Sequence, residues 1–153
     1  MVTKKVFTMK SFLTIFCLLL LTTPALASGV GYINYEKVAA NYNFAQTSLK
    51  EIEIKGREFQ QFLQAKENEF NKLETPLQKQ KFQESTQSEI KAKEDAFNKF
   101  REQKEEQVYQ RIYAVAEKIR LEKELDVLID ARGVFSGGKD ISDELIQRLN
   151  HKK

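Results

Sequence analysis

The chain has 153 residues, with 25 Lys or Arg, 22 Asp or Glu and a formal net charge of +3 at pH 7. Residues 1–27 contain three lysines and no acidic residue, so the remainder of the chain is electrically neutral. The only cysteine, Cys17, lies in that segment, and the only histidine is His151. Outside the segment this composition excludes a disulfide framework, a thiol nucleophile, a zinc cluster and the usual Ser-His-Asp triad. The length predicts one domain.

The first 27 residues have the three parts of a secretory signal peptide. A lysine-containing start precedes the apolar run Ser11–Leu21, which is shorter than the roughly 20 residues that span a bilayer. Ala25-Leu26-Ala27 then supplies the small-x-small pattern of a cleavage site. We expect residues 1–27 to be removed on export, leaving a chain that begins at Ser28.

Short apolar elements stand at the start of this chain and long charged ones follow. Gly29–Asn34 predicts a strand, and Tyr35–Tyr42 a short helix. From Ala45 to Lys123 charged residues dominate, which predicts two helices, Ala45–Glu74 and Pro76–Glu122.

The break between these helices predicts a helical hairpin. Thr75 has the side chain of an N-cap, Pro76 suits the first helical position, and Gln78 completes a capping-box spacing. One kinked continuous helix is the alternative. A heptad-like seam from Leu49 to Leu77 supports the prediction of helix, although Gly56 and Lys66 interrupt it. Its apolar members are Leu49, Ile52, Phe59, Leu63, Phe70, Leu73 and Leu77.

The end of the chain returns to short elements. Leu125–Asp130 predicts a strand, and Gly133–Gly138 a turn with a short further strand. Asp140 is expected to cap a helix over Ile141–Leu149. Because no such strand is stable alone, strands from both chain ends should meet in one sheet. The fold class is therefore mainly α with a small β body, from which the long antiparallel hairpin projects.

So small a body predicts a homo-oligomer joined through its sheet and through an apolar stripe on the second helix. The residues expected in this oligomer body are Val30, Tyr32, Ile33, Val108, Ile112, Val115, Ile119, Val127 and Ile129.

Two sets of arm residues are candidates for binding a partner. The phenylalanines either line a binding surface or hold the two helices together; they are Phe59, Phe62, Phe70, Phe82, Phe97 and Phe100. The lysines near the tip either attract acidic segments and anionic lipid headgroups or form a solvated face. They are Lys79, Lys81, Lys91 and Lys93.

Enzymatic chemistry and nucleic-acid binding are not expected. Carboxylate pairs such as Glu94-Asp95 lie in helical charge runs without an apolar pocket to shift their pKa values. Gly137-Gly138 lacks the Lys-Ser/Thr pair of a phosphate-binding loop. Neutral charge and export disfavour nucleic acid. We expect no catalytic residue, no cofactor and no metal.

The order of elements resembles the Skp (OmpH-like) periplasmic chaperone family. The resemblance rests on Val30–Asn34, Lys55-Gly56-Arg57, Leu73–Pro76, Leu125–Asp130 and Asp140-Ile141-Ser142. It implies a periplasmic trimer whose arms enclose a cavity and bind unfolded outer-membrane proteins without nucleotide. It also implies a domain over 28–153, with a body of 28–44 and 108–153 and an arm of 45–107. Well-known members are basic, whereas this chain is neutral after residue 27, and its arms look shorter.

The leading hypothesis is thus an ATP-independent holding chaperone for outer-membrane β-barrel proteins. A structural coiled-coil envelope protein without chaperone activity is the alternative. An amphipathic lipid binder is a third, disfavoured by the sparse apolar seam.

Overall fold

The computed structural model describes residues 29–151, so the predicted signal peptide lies outside the described residues. The elements in chain order are β1 (Gly29–Ile33), α1 (Tyr35–Asn41), α2 (Asn43–Asn71), α3 (Pro76–Glu122), β2 (Leu125–Asp130), β3 (Lys139–Asp140) and α4 (Ser142–His151). Most of the described chain is helical, as expected from the sequence.

The sheet joins strands from both ends of the chain, which confirms that prediction. Its order is β2-β1-β3, and β1 pairs in parallel with both neighbours. The third strand was predicted wrongly, because it occupies Lys139–Asp140 rather than part of 133–138. Residues Ala131–Gly133 form a 3₁₀ turn instead, held by the Asp130 carboxylate, which accepts a hydrogen bond from the Arg132 N–H at 2.9 Å. Gly137 and Gly138 have φ of 79° and 89°, a left-handed conformation that an extended strand cannot contain.

Helices α2 and α3 form an antiparallel hairpin, so the kinked-helix alternative is wrong. Glu51 pairs with Lys104 near the body, and Phe70 meets Phe82 near the far end. Helix α2 ends at Asn71, three residues before the predicted Glu74. We call the part of this hairpin beyond residues 45 and 107 the arm, and its far end the tip.

The predicted capping box begins α3. The Thr75 hydroxyl accepts a hydrogen bond from the Gln78 N–H at 3.3 Å, and the Gln78 side-chain oxygen accepts one from the Thr75 N–H at 3.1 Å. Pro76 occupies the first helical turn, where a missing N–H costs nothing. The chain therefore reverses direction at the tip within four residues, Lys72 to Thr75.

The core is formed by the last four turns of α3 together with residues of α1, α4 and β2. Val38, Ile119 and Leu145 are completely buried there. The core also buries the apolar stripe that was expected to join subunits, Val108, Ile112, Val115 and Ile119. The stripe was correctly identified as buried, but it packs inside the single chain and has no free surface for a neighbouring copy.

No helix within residues 29–151 is both long and apolar enough to cross a membrane.

Candidate functional site

The arm is held together by aromatic pairs across its two helices. The rings of Phe59 and Phe97 stack with centroids 6.2 Å apart and planes inclined by 18°. A methyl group added at Gly56 would lie 3.4 Å from the Phe97 ring, so this glycine faces that ring across the arm. Nearer the tip, the Phe70 and Phe82 rings are also 6.2 Å apart, at 48°. The seam interruption at Gly56 is therefore a place where the two helices approach closely.

The second interruption, Lys66, is a polar bridge between the helices. Its ammonium group lies 3.1 Å from the carboxylate of Glu89 on α3 and 3.7 Å from that of Glu69. The same group lies 5.5 Å from the ring centre of Phe62 and 6.0 Å from that of Phe82. Hydrogen bonding to Glu89, followed by the nearby carboxylates, raises the pKa of Lys66. Lys66 is therefore a charged contact within the seam.

Two open grooves run along the arm between these contacts. The outer one has a volume of about 440 Å³, and its walls include Leu63, Phe70, Phe82 and Ile90. Thr86, a buried residue in the same wall, donates its hydroxyl to the Phe82 carbonyl. The inner groove, about 340 Å³, has walls that include the rings of Phe59, Phe62, Phe97 and Phe100. Both grooves combine apolar walls with Lys and Glu side chains at their rims.

The six candidate phenylalanines are all half-buried, which places them between the two alternatives of the sequence analysis. Four of them form the cross-arm pairs described above and hold the helices together. All six also line the grooves and keep part of each ring accessible to solvent.

The four candidate lysines are not equivalent. Lys93 lies 4.8 Å from the ring centre of Phe62, and Lys79 lies 5.3 Å from that of Phe70. Lys91 is exposed and pairs with Asp95 at 3.6 Å, while Lys81 is exposed. Lys79 and Lys93 therefore border aromatic surface, whereas Lys81 and Lys91 extend the solvated face.

The sheet keeps one apolar face accessible. Val30 pairs with Val127 and Tyr32 with Ile129, which places the four side chains on the same face. Val30, Val127 and Ile129 are 43%, 42% and 36% exposed, whereas Tyr32 and Ile33 are half-buried. Of the nine residues expected in the oligomer body, these three have the most free surface.

An asparagine that the sequence analysis did not select fixes the base of the arm. The Asn150 side-chain oxygen accepts a hydrogen bond from the Asn43 N–H at 3.0 Å, and its amide group donates one to the Asn41 carbonyl at 2.8 Å. These partners flank Tyr42, the extended residue between α1 and α2. A polar residue near the chain terminus offers no periodic signal, so only the tertiary structure reveals this clamp.

Phe135 is a second residue that sequence periodicity missed. It lies in the glycine-containing loop between β2 and β3 and is completely exposed.

Within residues 29–151 no group of three His, Cys, Asp or Glu side chains is arranged to hold a metal ion.

Two comparisons with known proteins find similarity over most of the chain. The family model described as outer membrane protein (OmpH-like) matches residues 29–149. No curated protein has significant sequence similarity to the chain. A solved structure from Caulobacter crescentus, described as a putative outer membrane chaperone (OmpH-like), shares 14% identity with a TM-score of 0.39, over 83% of this chain and 86% of that one. Since the family model spans most of the sequence, the chain belongs to the OmpH-like family.

Proposed function

We propose that this protein is an ATP-independent holding chaperone of the periplasm, which binds unfolded outer-membrane β-barrel proteins and prevents their aggregation. Membership of the OmpH-like family supports the connection with outer-membrane proteins. The signal-peptide pattern of residues 1–27 supports export.

The observation that carries this proposal is the incompletely closed aromatic seam of the arm. Phe62 and Phe100 line the inner groove outside the stacked Phe59–Phe97 pair, and Lys93 lies over the Phe62 ring. Such a surface offers many weak apolar and charged contacts along the arm and no single enclosed pocket. An unfolded chain that engages several of them together binds well, because each contact raises the effective concentration of the next.

Release without an energy source follows from the same weakness. A β-barrel protein that folds into its membrane buries the apolar side chains that had contacted the arm. Its affinity for the arm then falls without nucleotide hydrolysis, in agreement with the lack of a phosphate-binding motif at Gly137-Gly138. The protein therefore needs neither a catalytic residue nor a cofactor.

The working form in this proposal is a homo-oligomer, a trimer in keeping with the family resemblance. Its body comprises 28–44 and 108–153, its arm 45–107, and its subunits meet through the exposed sheet residues Val30, Val127 and Ile129. The arms surround the client, and the lysines near the tip add weak attraction to anionic lipid headgroups.

The alternative is a structural envelope protein whose arms act as spacers. The ion pairs Lys66–Glu89 and Lys104–Glu51 favour it, because they join α2 to α3 and stiffen the arm. A spacer has no affinity for unfolded chains, so the two functions differ in one measurement.

That measurement is the light scattering of a urea-unfolded porin diluted into buffer with and without this protein. A holding chaperone suppresses aggregation near one oligomer per porin, to the same extent with and without ATP. Scattering that is unchanged at a tenfold excess of oligomer would contradict the chaperone function and leave the spacer.

A further inference from the structure

The loop between β2 and β3 presents a bare aromatic ring. Phe135 is 104% exposed, which means that its ring contacts almost nothing else in residues 29–151. Gly138 in the same loop lies against the Tyr32 ring, where an added methyl group would be only 3.2 Å away. The end of the loop next to β3 is therefore packed against the sheet, while Phe135 is fully exposed. A large ring held in water on an anchored loop is an unfavourable arrangement for a solitary chain.

The same chain contains an open groove with apolar and charged walls. It has a volume of about 440 Å³ and lies between α3 and β2. Five consecutive residues of β2, Asp126 to Asp130, line it, together with Ile33 of β1. Tyr109 and Tyr113, stacked with centroids 6.2 Å apart and about half exposed, form part of the α3 wall.

The groove and Phe135 are complementary but belong to different places in the fold. The groove follows β2, at one edge of the sheet, whereas Phe135 lies in the loop that leaves the end of β2 and leads to β3, at the other edge. Phe135 does not line the groove of its own chain. Contacts between two different surfaces of identical subunits are head-to-tail, and such contacts form a ring when the rotation between subunits closes and an open filament when it does not.

Size and charge agree with this match. An apolar cavity of about 150 Å³ is enough to bind benzene, so the groove has ample room for a phenyl ring. Asp126 lines the groove, and Lys139 follows the Phe135 loop; neither forms an ion pair within residues 29–151. A neighbouring copy would bring these opposite charges towards each other.

We propose that Phe135 of one copy occupies the groove between α3 and β2 of the next copy and anchors the assembly. This inference rests on the proposed function, which includes a homo-oligomer, and it identifies the residue and the surface that make it. A second copy is the occupant because the chain itself supplies the ring, the groove and the opposite charges.

Sedimentation of Phe135→Ala tests the anchor. Loss of a buried phenyl ring should weaken each subunit contact by roughly 10- to 100-fold. Phe135→Leu, which keeps an apolar side chain, should lose less. Leu77→Ala is the matched control, because Leu77 is an exposed apolar residue at the arm tip and should leave assembly unchanged. Circular dichroism should show that Phe135→Ala keeps its helices, since the ring supports nothing within its own chain.

Cross-linking tests the position directly. In the protein that begins at Ser28, which contains no cysteine, oxidation of a variant that keeps Phe135 and carries Ser136→Cys and Tyr113→Cys should give covalent dimers and higher species. Neither single cysteine should give such a ladder.

The anchor is refuted if Phe135→Ala assembles as tightly as the unchanged protein, or if the double-cysteine protein stays monomeric on oxidation. If Phe135→Ala assembles normally but no longer holds porin, Phe135 contacts the client and not a neighbouring copy. If the unchanged protein is itself monomeric, both the oligomer and the anchor are refuted. The holding function is judged independently, by whether the unchanged protein suppresses porin aggregation.

Discussion

Gly56 allows a quantitative test of how the arm is packed. Glycine in the interior of a helix is about 0.5–1 kcal/mol less favourable than alanine, because the unfolded chain has more freedom to lose. The alanine Cβ at position 56 would lie 3.4 Å and 3.7 Å from two atoms of the Phe97 ring, which is ordinary van der Waals contact. Gly56→Ala should therefore gain the helix term without a steric penalty.

The expected gain is about 0.5–1 kcal/mol in the free energy of unfolding, plus a smaller amount from contact of the new methyl group with Phe97. Urea unfolding followed by circular dichroism measures the total. Hydrogen exchange of the α2 amides shows where the stability is gained. A gain of about 1 kcal/mol makes the amides that exchange through opening of this helix exchange roughly fivefold more slowly.

Ala65→Gly is the matched control, because Ala65 is an exposed residue of the same helix and should lose about what Gly56→Ala gains. Gly56→Leu should be destabilising, since the longer side chain would disturb the Phe59–Phe97 stack. Destabilisation by Gly56→Ala would refute the contact geometry at this position.

Three further changes examine the body. Ile119→Ala removes a completely buried side chain and should lower the free energy of unfolding by about 2–5 kcal/mol, measured by urea denaturation. Asn150→Ala removes both hydrogen bonds of the clamp and should cost about 1–2 kcal/mol, with faster amide exchange at Asn43 as its signature. Hydrogen bonds from Ser142 hold the pKa of Asp140 below its ordinary 3.8. The ionised carboxylate therefore stabilises the folded chain fully above pH 3.8, and this contribution to the free energy of unfolding is lost as pH falls through the lowered pKa. Asp140→Asn should therefore flatten the decline of stability in acid, and an unchanged slope in urea titrations would contradict this.

The elements of the fold were predictable where a local signal dominates. The capping box at Thr75 determined the start of α3, and the charged composition with its break at Thr75-Pro76 predicted the hairpin. The apolar stripe from Val108 to Ile119 was recognised as buried. What covers it was misjudged, because a helical stripe shows that a face is covered without showing by which surface. Helices α1 and α4 of the same chain cover it, together with the sheet.

The arm seam was harder to predict because its contacts break the heptad pattern. Gly56 and Lys66 look like defects in sequence, yet one accommodates the Phe97 ring and the other bridges to Glu89. Leu49 and Leu77, which fit the pattern, are exposed. Periodicity gives the direction of a side chain, but the opposing helix determines whether that direction is filled. Phe135 and Asn150 lie outside any periodic segment and could be found only in the folded chain.

The central proposal is that the arm holds unfolded clients, and shortening the arm in register tests it most directly. Deleting Gln60–Phe70 and Thr86–Ala96 together removes eleven residues from each helix, about three turns or 16 Å. After the deletion Phe59 occupies the position of Phe70, and Phe97 occupies that of Thr86. All four residues face the opposing helix, so the register between the two helices is kept. The turn and the body are untouched, and sedimentation should show normal assembly. Light scattering of diluted porin should then show that the shortened protein has lost most of its holding activity. A shortened protein that prevents aggregation as well as the full-length one would contradict the proposal that the arm is the binding element.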